Sequence, residues 1–193
     1  NTEADMMFLT DLIGKGATRE CYAHPEEKEK CIKVYQNPKL AEPAFKRELE
    51  IYHRVSPILG NFVCAYDPQL VDTNKGKGLV SELILDDNGK TSRPLVTYLV
   101  SSWMNEQIIA EINAFTALLL KNNLFFYDFN LMNFVVQNKK GHFRLRYIDM
   151  KSFENYKSWS FLGLEKISPA IARHIMIRRL KRMYKLLNLP FPQ

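Results

Sequence analysis

Asp128 and Asn133 stand five residues apart in Tyr127-Asp128-Phe129-Asn130-Leu131-Met132-Asn133, and Asp149 follows in Tyr147-Ile148-Asp149. A carboxylate beside a transferring group can orient a hydroxyl and accept its proton. A side-chain amide and a second carboxylate are hard oxygen donors, suited to Mg²⁺ held against phosphates. This set points to a phosphoryl-transfer centre, with Asp128 as the catalytic residue and Asn133 and Asp149 as metal ligands. Asp and Asn also populate ordinary turns. A turn cap is therefore the competing reading for Asp149, and the features upstream decide between the two.

Upstream, Ile13-Gly14-Lys15-Gly16-Ala17-Thr18 leads into Arg19-Glu20-Cys21-Tyr22-Ala23, which reads as a strand. Glycines let backbone amides approach phosphates closely, although Gly14 and Gly16 also suit a plain hairpin turn. The stretch does not match the GxxxxGK[ST] phosphate loop. Cys31-Ile32-Lys33-Val34-Tyr35 is an apolar strand with one lysine inside it. A lysine flanked by Ile32 and Val34 favours a functional role over snorkelling from a sheet edge. Residues 44 to 52 then show helical spacing, with Phe45, Leu49 and Tyr52 on one face. Glu48 lies in the charged run Lys46-Arg47-Glu48, so a solvated helix residue is its competing reading.

In this order the features resemble the protein-kinase-like superfamily and, within it, the small bacterial PhoP-regulatory-network (YrbL-type) family. The resemblance implies that Gly14 and Gly16 belong to a glycine-rich loop over ATP, that Lys33 binds its phosphates, and that Glu48 is the helical partner of Lys33. Gly78-Leu79-Val80-Ser81-Glu82-Leu83 resembles the strand entering a hinge, where backbone groups of Glu82 and Leu83 would receive adenine. Asp128 to Asn133 matches the catalytic-loop spacing D-x-x-x-x-N, and Asp149 the metal-binding aspartate of D-F-G. The departures are equally specific. Phe126-Tyr127 replaces the usual His-Arg, Asn130 stands where a lysine is usual, Asp149 is followed by Met150-Lys151, and no A-P-E sequence follows.

The implied fold is α+β: a compact protein-kinase-like two-lobed fold with a reduced C-terminal lobe. Residues 1–86 are expected to form a β-rich nucleotide-binding lobe, and 87–193 a mainly helical lobe carrying the catalytic and metal-binding loops. The 193 residues, 46% hydrophobic and 25% charged, have the composition of an ordinary globular protein. Three strands are expected within 8–35, a helix over 43–55 that stops before Pro57, and an antiparallel pair turning at 73–77. A helix carrying Ile108, Ile109, Ile112, Phe115, Leu118 and Leu119 follows, then a hairpin around Asn138-Lys139-Lys140-Gly141. That hairpin brings Asn133 and Asp149 to one end.

Three cysteines without CxxC spacing favour a reducing compartment. Cys21 and Cys31 become neighbours if their strands pair, most simply as two small buried hydrophobes. No run of 18 apolar residues is present, and the opening Asn1-Thr2-Glu3-Ala4-Asp5 is unlike a secretory signal. The expectation is a cytoplasmic protein. A last helix starts at Ser168-Pro169, with the stripe Ala172, Ile175, Met176, Leu180, Met183 and Leu187. Its Arg173, Arg178, Arg179, Lys181, Arg182 and Lys185, in a chain of net charge +6, could contact an anionic surface such as a phosphorylated saccharide or lipid. The competing reading is a solvated face on a docked helix. No nucleic-acid-binding motif accompanies the charge.

The function these features imply is ATP- and Mg²⁺-dependent transfer of a phosphoryl group to an unidentified hydroxyl acceptor, with a small molecule or saccharide favoured over a peptide. The alternative is a nucleotide-binding pseudokinase acting as a regulatory or scaffold protein. A basic adaptor using its last helix is a third reading.

Overall fold

The computed structural model describes residues 6–126, 128–153 and 169–192. The chain divides into two units, Asn1–His53 with Cys64–Thr91, and Arg54–Val63 with Ser92–Gln193.

The first unit is built on an antiparallel sheet of β1 (Leu12–Lys15), β2 (Arg19–Ala23), β3 (Lys30–Tyr35), β4 (Tyr66–Thr73) and β5 (Gly76–Glu82), in the order β1-β2-β3-β5-β4. Period-two alternation in β3 sends Ile32 and Val34 to one face and Cys31, Lys33 and Tyr35 to the other. The first face packs with Leu9, Tyr22 and Val80. Gly78 lies on it because a Cβ there would meet Ile32 Cγ2 at 2.5 Å. The second face meets α1 (Ala41–Leu59), where the rings of Tyr35 and Phe45 lie 4.9 Å apart. Both faces of β3 are thus covered, which is why the strand reads as an apolar run.

Helix α1 buries Ala41, Phe45, Glu48, Val55 and Leu59 at helical spacing, so a carboxylate sits inside an otherwise apolar stripe. The helix does not stop before Pro57 but continues to Leu59. Pro57 is exposed and stands inside the helix, which absorbs the loss of its N–H bond and the crowding of one carbonyl and continues for two more residues. The stop falls at Gly60, whose φ of +52° suits a left-handed helix end. The β4–β5 turn closes at Gly76 (φ +99°), with Thr73 Oγ1 donating to its carbonyl at 2.6 Å. Asp86 to Gly89 form a turn closed by the Gly89 N–H on the Asp86 carbonyl at 3.1 Å, and it groups with the first unit.

The second unit holds α2 (Leu95–Val100), α3 (Glu106–Lys121), α4 (Pro169–Leu186) and a three-stranded sheet of β6 (Arg93–Pro94), β7 (Phe134–Lys139) and β8 (His142–Tyr147). Asn105 caps α3 by accepting from the Ile108 N–H at 2.9 Å. Ile108, Ile112, Phe115 and Leu119 are buried, Thr116 joins them, and Ile109 and Leu118 are half-buried flanks. Gln107 and Glu111 of α3 accept from the Phe143 and Leu145 N–H groups of β8, both at 3.0 Å, which covers that strand's edge. The β7–β8 turn takes positive φ at Lys140 (53°) and Gly141 (82°), the twist a two-residue hairpin needs.

Helix α4 and the turn after it present the expected stripe, with Ala172, Met176, Leu180, Met183 and Leu187 buried and Ile175 half-buried. Its proposed Ser168 cap lies outside the described residues. Tyr184 completes the stripe: its hydroxyl lies 2.8 Å from Asn113 Oδ1 and 3.0 Å from Thr116 Oγ1 of α3. Among the described residues, no helix is long and apolar enough to cross a membrane.

Candidate functional site

The named residues fall in both units. In the second, the β7–β8 register pairs Phe134 with Tyr147, and the Ile148 N–H donates to the Asn133 carbonyl at 3.0 Å. Asn133 and Asp149 are thereby held at one end of the hairpin. The loop before β7 is folded by its own side chains. Asp128 Oδ1 accepts from the Asn130 N–H at 3.0 Å, Asn130 Oδ1 accepts from the Met132 N–H at 3.0 Å, and the Asn133 N–H donates to the Asn130 carbonyl at 2.9 Å. Asn133 Nδ2 lies 3.4 Å from Asp128 Oδ2. Asn130, the departure from the usual lysine, thus serves as a turn former. Tyr127 lies outside the described residues.

Tyr147 joins these parts. Its ring is fully buried among Phe115, Phe126, Phe134 and Phe153, with centroids 4.7 to 6.4 Å away. Its hydroxyl hydrogen-bonds Ser152 Oγ and lies 3.4 Å from the Asp128 carbonyl. Burial, then the fields of Asp149 and Asp128, holds this phenol well above its ordinary range. Asp149 also organises the turn after it, accepting from the Lys151 N–H at 3.3 Å with its side chain. It therefore meets its competing reading, a turn cap, while standing beside Asp128 and Asn133. Asn133 and Asp149 supply an amide and a carboxylate oxygen, a donor set that fits Mg²⁺.

In the first unit, Lys33 faces away from the Ile32–Val34 core, paired across β2 with Cys21 and across β5 with Leu79. Its Nζ donates to the Tyr66 hydroxyl at 3.0 Å, and that hydroxyl donates to Glu48 Oε1 at 2.6 Å. Glu48 Oε2 accepts from Arg19 Nη1 at 2.6 Å. At 1% exposure, Glu48 is not a solvated helix residue. Burial pulls the Lys33 ammonium down, but the fields of Cys64 and Glu48 outweigh this and leave it above its ordinary value. Burial in turn pushes the Cys64 thiol up to about 11. Cys21 and Cys31 lie diagonally across β2–β3 on this face as free thiols.

Gly14 lies within β1 and Gly16 opens the β1–β2 turn, where its N–H donates to the Arg19 carbonyl at 2.8 Å. Neither has positive φ, and a Cβ at Gly14 would meet nothing within 4 Å. The fold itself does not require glycine at position 14. At the end of β5, the Glu82 N–H donates to the Ala65 carbonyl at 2.7 Å and the Leu83 N–H to the Glu29 carbonyl at 2.8 Å. Both N–H groups are committed within the unit, so adenine recognition by Glu82 and Leu83 would use their carbonyl oxygens. The Glu82 carboxylate accepts from the Ala65 N–H at 3.0 Å, a structural role.

On α4, Arg178 and Arg182 are exposed and line, with Ile175 and Arg179, a cavity of about 350 Å³. Arg173 is used differently, donating to the Leu120 carbonyl at 2.7 Å and to Asn123 Oδ1 at 2.5 Å. Sequence reasoning missed Arg19, Tyr66 and Tyr147. Arg19 directly follows the glycine turn, a position that hinted at it; nothing in the sequence distinguished the two tyrosines.

Tyr66, like Tyr147, is held well above its ordinary range, first by burial and then by the Glu48 field. An unfolded tyrosine ionises near 10. Stability from these buried neutral phenols is therefore complete below about pH 10 and is lost as pH rises further; the raised Lys33 acts in the same direction. The unfolding free energy from urea titration should fall above about pH 10 by up to roughly 1.4 kcal/mol per pH unit for each such tyrosine. A flat profile above that pH would contradict the burial of both hydroxyls.

Known structures of similar fold are protein kinase domains. A form of the kinase domain of Mycobacterium tuberculosis PknI superposes with a TM-score of 0.57 at 12% identity, covering 92% of this chain and 73% of that one. Another structure of the same domain gives 0.54 at 13% identity, covering 96% and 78%. The fold is that of a protein kinase. Within that class, the chain belongs to the family described as PhoP regulatory network protein YrbL, which matches residues 8–188. It is 33% identical over 99 residues to the YrbL proteins of Escherichia coli K12 and Shigella flexneri. That alignment covers 50% of this chain and 47% of each relative, so the matched stretch spans about half their length.

Proposed function

We propose that this kinase-like protein is an ATP- and Mg²⁺-dependent phosphotransferase acting on a hydroxyl-bearing acceptor, with a small molecule or saccharide as the favoured class. The observation that carries the reading is the gathering of Asp128, Asn133 and Asp149 around the Tyr147 hydroxyl at one end of the β7–β8 hairpin. Asp128 would orient the acceptor hydroxyl and take its proton. Asn133 and Asp149 would hold Mg²⁺, which when bound supplies positive charge against the phosphates. Lys33 would bind phosphate oxygens with its ammonium, Glu48 would balance that charge, and the backbone at Gly14 and Gly16 leaves room for close approach. Phosphoryl transfer depends mainly on positioning and charge neutralisation, the two roles these residues would fill.

The test is nucleotide calorimetry with and without Mg²⁺. Asp149→Asn should weaken MgATP binding about tenfold, a loss of roughly 1.4 kcal/mol, with little effect on metal-free ATP. Equal affinities for MgATP in the wild type and this variant would remove Asp149 as a metal ligand. A nucleotide-binding scaffold is the second reading, favoured by Arg19 already holding the Glu48 carboxylate. It predicts MgATP binding without any phosphate release.

A further inference from the structure

We propose that Tyr66 is the positioning residue for Lys33, coupling the lysine to Glu48 through its hydroxyl; this rests on the reading of Lys33 as a phosphate-binding residue. The direction of both hydrogen bonds is fixed by chemistry. An ammonium can only donate and an ionised carboxylate can only accept, so the single phenolic proton goes to Glu48 Oε1 at 2.6 Å. A lone pair is left for Lys33 Nζ at 3.0 Å. The Tyr66 ring is held in turn. It stacks on Tyr52 at 5.1 Å, and Lys33 Nζ lies 4.8 Å from its centroid.

Tyr66 reaches this place through an irregularity in β4. Leu70 pairs with Leu79 and Tyr66 with Ser81, so Asp67, Pro68 and Gln69 of β4 stand against Val80 alone on β5. Bulges of this kind re-aim a side chain, and Pro68, within the extra stretch, cannot donate to a ladder. The lysine on β3 and the carboxylate on α1 are thereby joined by a hydroxyl from a third element. The Glu48 carboxylate on α1 therefore fixes the direction in which the β4 hydroxyl presents its lone pair to Lys33.

Tyr66→Phe keeps the ring, its stacking and its burial and removes only the hydroxyl. MgATP Kd should rise about tenfold in this variant. In a Lys33→Met background the same change should have no effect on Kd, because Tyr66 acts through the lysine. A second measurement needs no nucleotide: mass-spectrometric competition labelling of lysines with an amine-reactive ester near pH 10. Lys33 should label more slowly than exposed lysines in the wild type and several-fold faster in Tyr66→Phe. A purely structural tyrosine would change the melting temperature but neither the labelling of Lys33 nor the dependence on background. Tyr66→Phe with wild-type Kd and unchanged labelling would overturn the proposal. Should no form bind MgATP, the phosphotransferase reading fails by itself, and the labelling still decides the role of Tyr66. If Tyr66→Phe does not fold, ordinary labelling of Lys33 in the wild type would be enough to overturn it.

Discussion

Asp128→Ala should lower kcat for MgATP turnover, with water as the acceptor, by about 10³-fold, the middle of the range for a positioned base. Nucleotide Kd should stay within about threefold, because Asp128 is assigned to the acceptor and not to the phosphates. The size of the effect follows from the loop. Asp128 is half-buried, and its backbone carbonyl lies 3.4 Å from a hydroxyl anchored in an aromatic core. Its Oδ1 is fixed by the Asn130 N–H, so the carboxylate is held before any acceptor arrives. Alanine also removes this turn contact, at a cost of about 1 kcal/mol. Asp128→Asn keeps a side-chain oxygen for the turn and separates the two effects: its stability should match the wild type while its kcat matches alanine. Turnover by Asp128→Ala at the wild-type rate would end the assignment.

Glu48→Ala should cost about 3 kcal/mol of stability, at the lower end of the range for breaking a buried ion pair because Arg19 keeps some exposure. In a chain of this length that corresponds to a fall in melting temperature of roughly 6 to 12 °C. The carboxylate accepts from Arg19 Nη1 and from the Tyr66 hydroxyl, both at 2.6 Å, and offsets the charge of Lys33. Alanine leaves a guanidinium and a phenol short of an acceptor in a place water reaches poorly. Glu48→Gln keeps an acceptor oxygen but not the charge and should fall between the two. An exposed glutamate would lose under about 0.5 kcal/mol on the same substitution. A melting point within 2 °C of wild type would therefore restore the solvated reading of Glu48.

How far the sequence can be read depends on the range of the interaction. The β7–β8 hairpin is local: alternation, a Lys140-Gly141 turn and short separation place Asn133 beside Ile148 without help from elsewhere. The same holds for the β2–β3 pairing, which sets Cys21 against Lys33. The end of α1 was harder to read, because a proline removes one N–H bond and crowds one carbonyl without having to end the helix where it stands. Glu48 was ambiguous for a different reason. Its neighbours Lys46 and Arg47 are exposed, and only the stripe through Phe45 and Val55 shows that position 48 turns inward. The Glu82 and Leu83 N–H groups are taken by the Ala65 and Glu29 carbonyls, partners too distant in the chain for a local pattern to show.

The amino-acid order by itself determined the succession of glycine turn, strand lysine, helical glutamate and D-x-x-x-x-N loop, and with it the kinase-like fold. Period and spacing are properties of neighbouring residues, and neighbours are what a sequence records. Tertiary structure alone decided who holds whom. Arg19 meets Glu48 across 29 positions and Tyr66 meets it across 18, the latter through a β4 irregularity that no local pattern announces. A hydroxyl or guanidinium carries no mark of its distant partner. The partner is chosen when strands and helix pack and each buried polar group must find a bond.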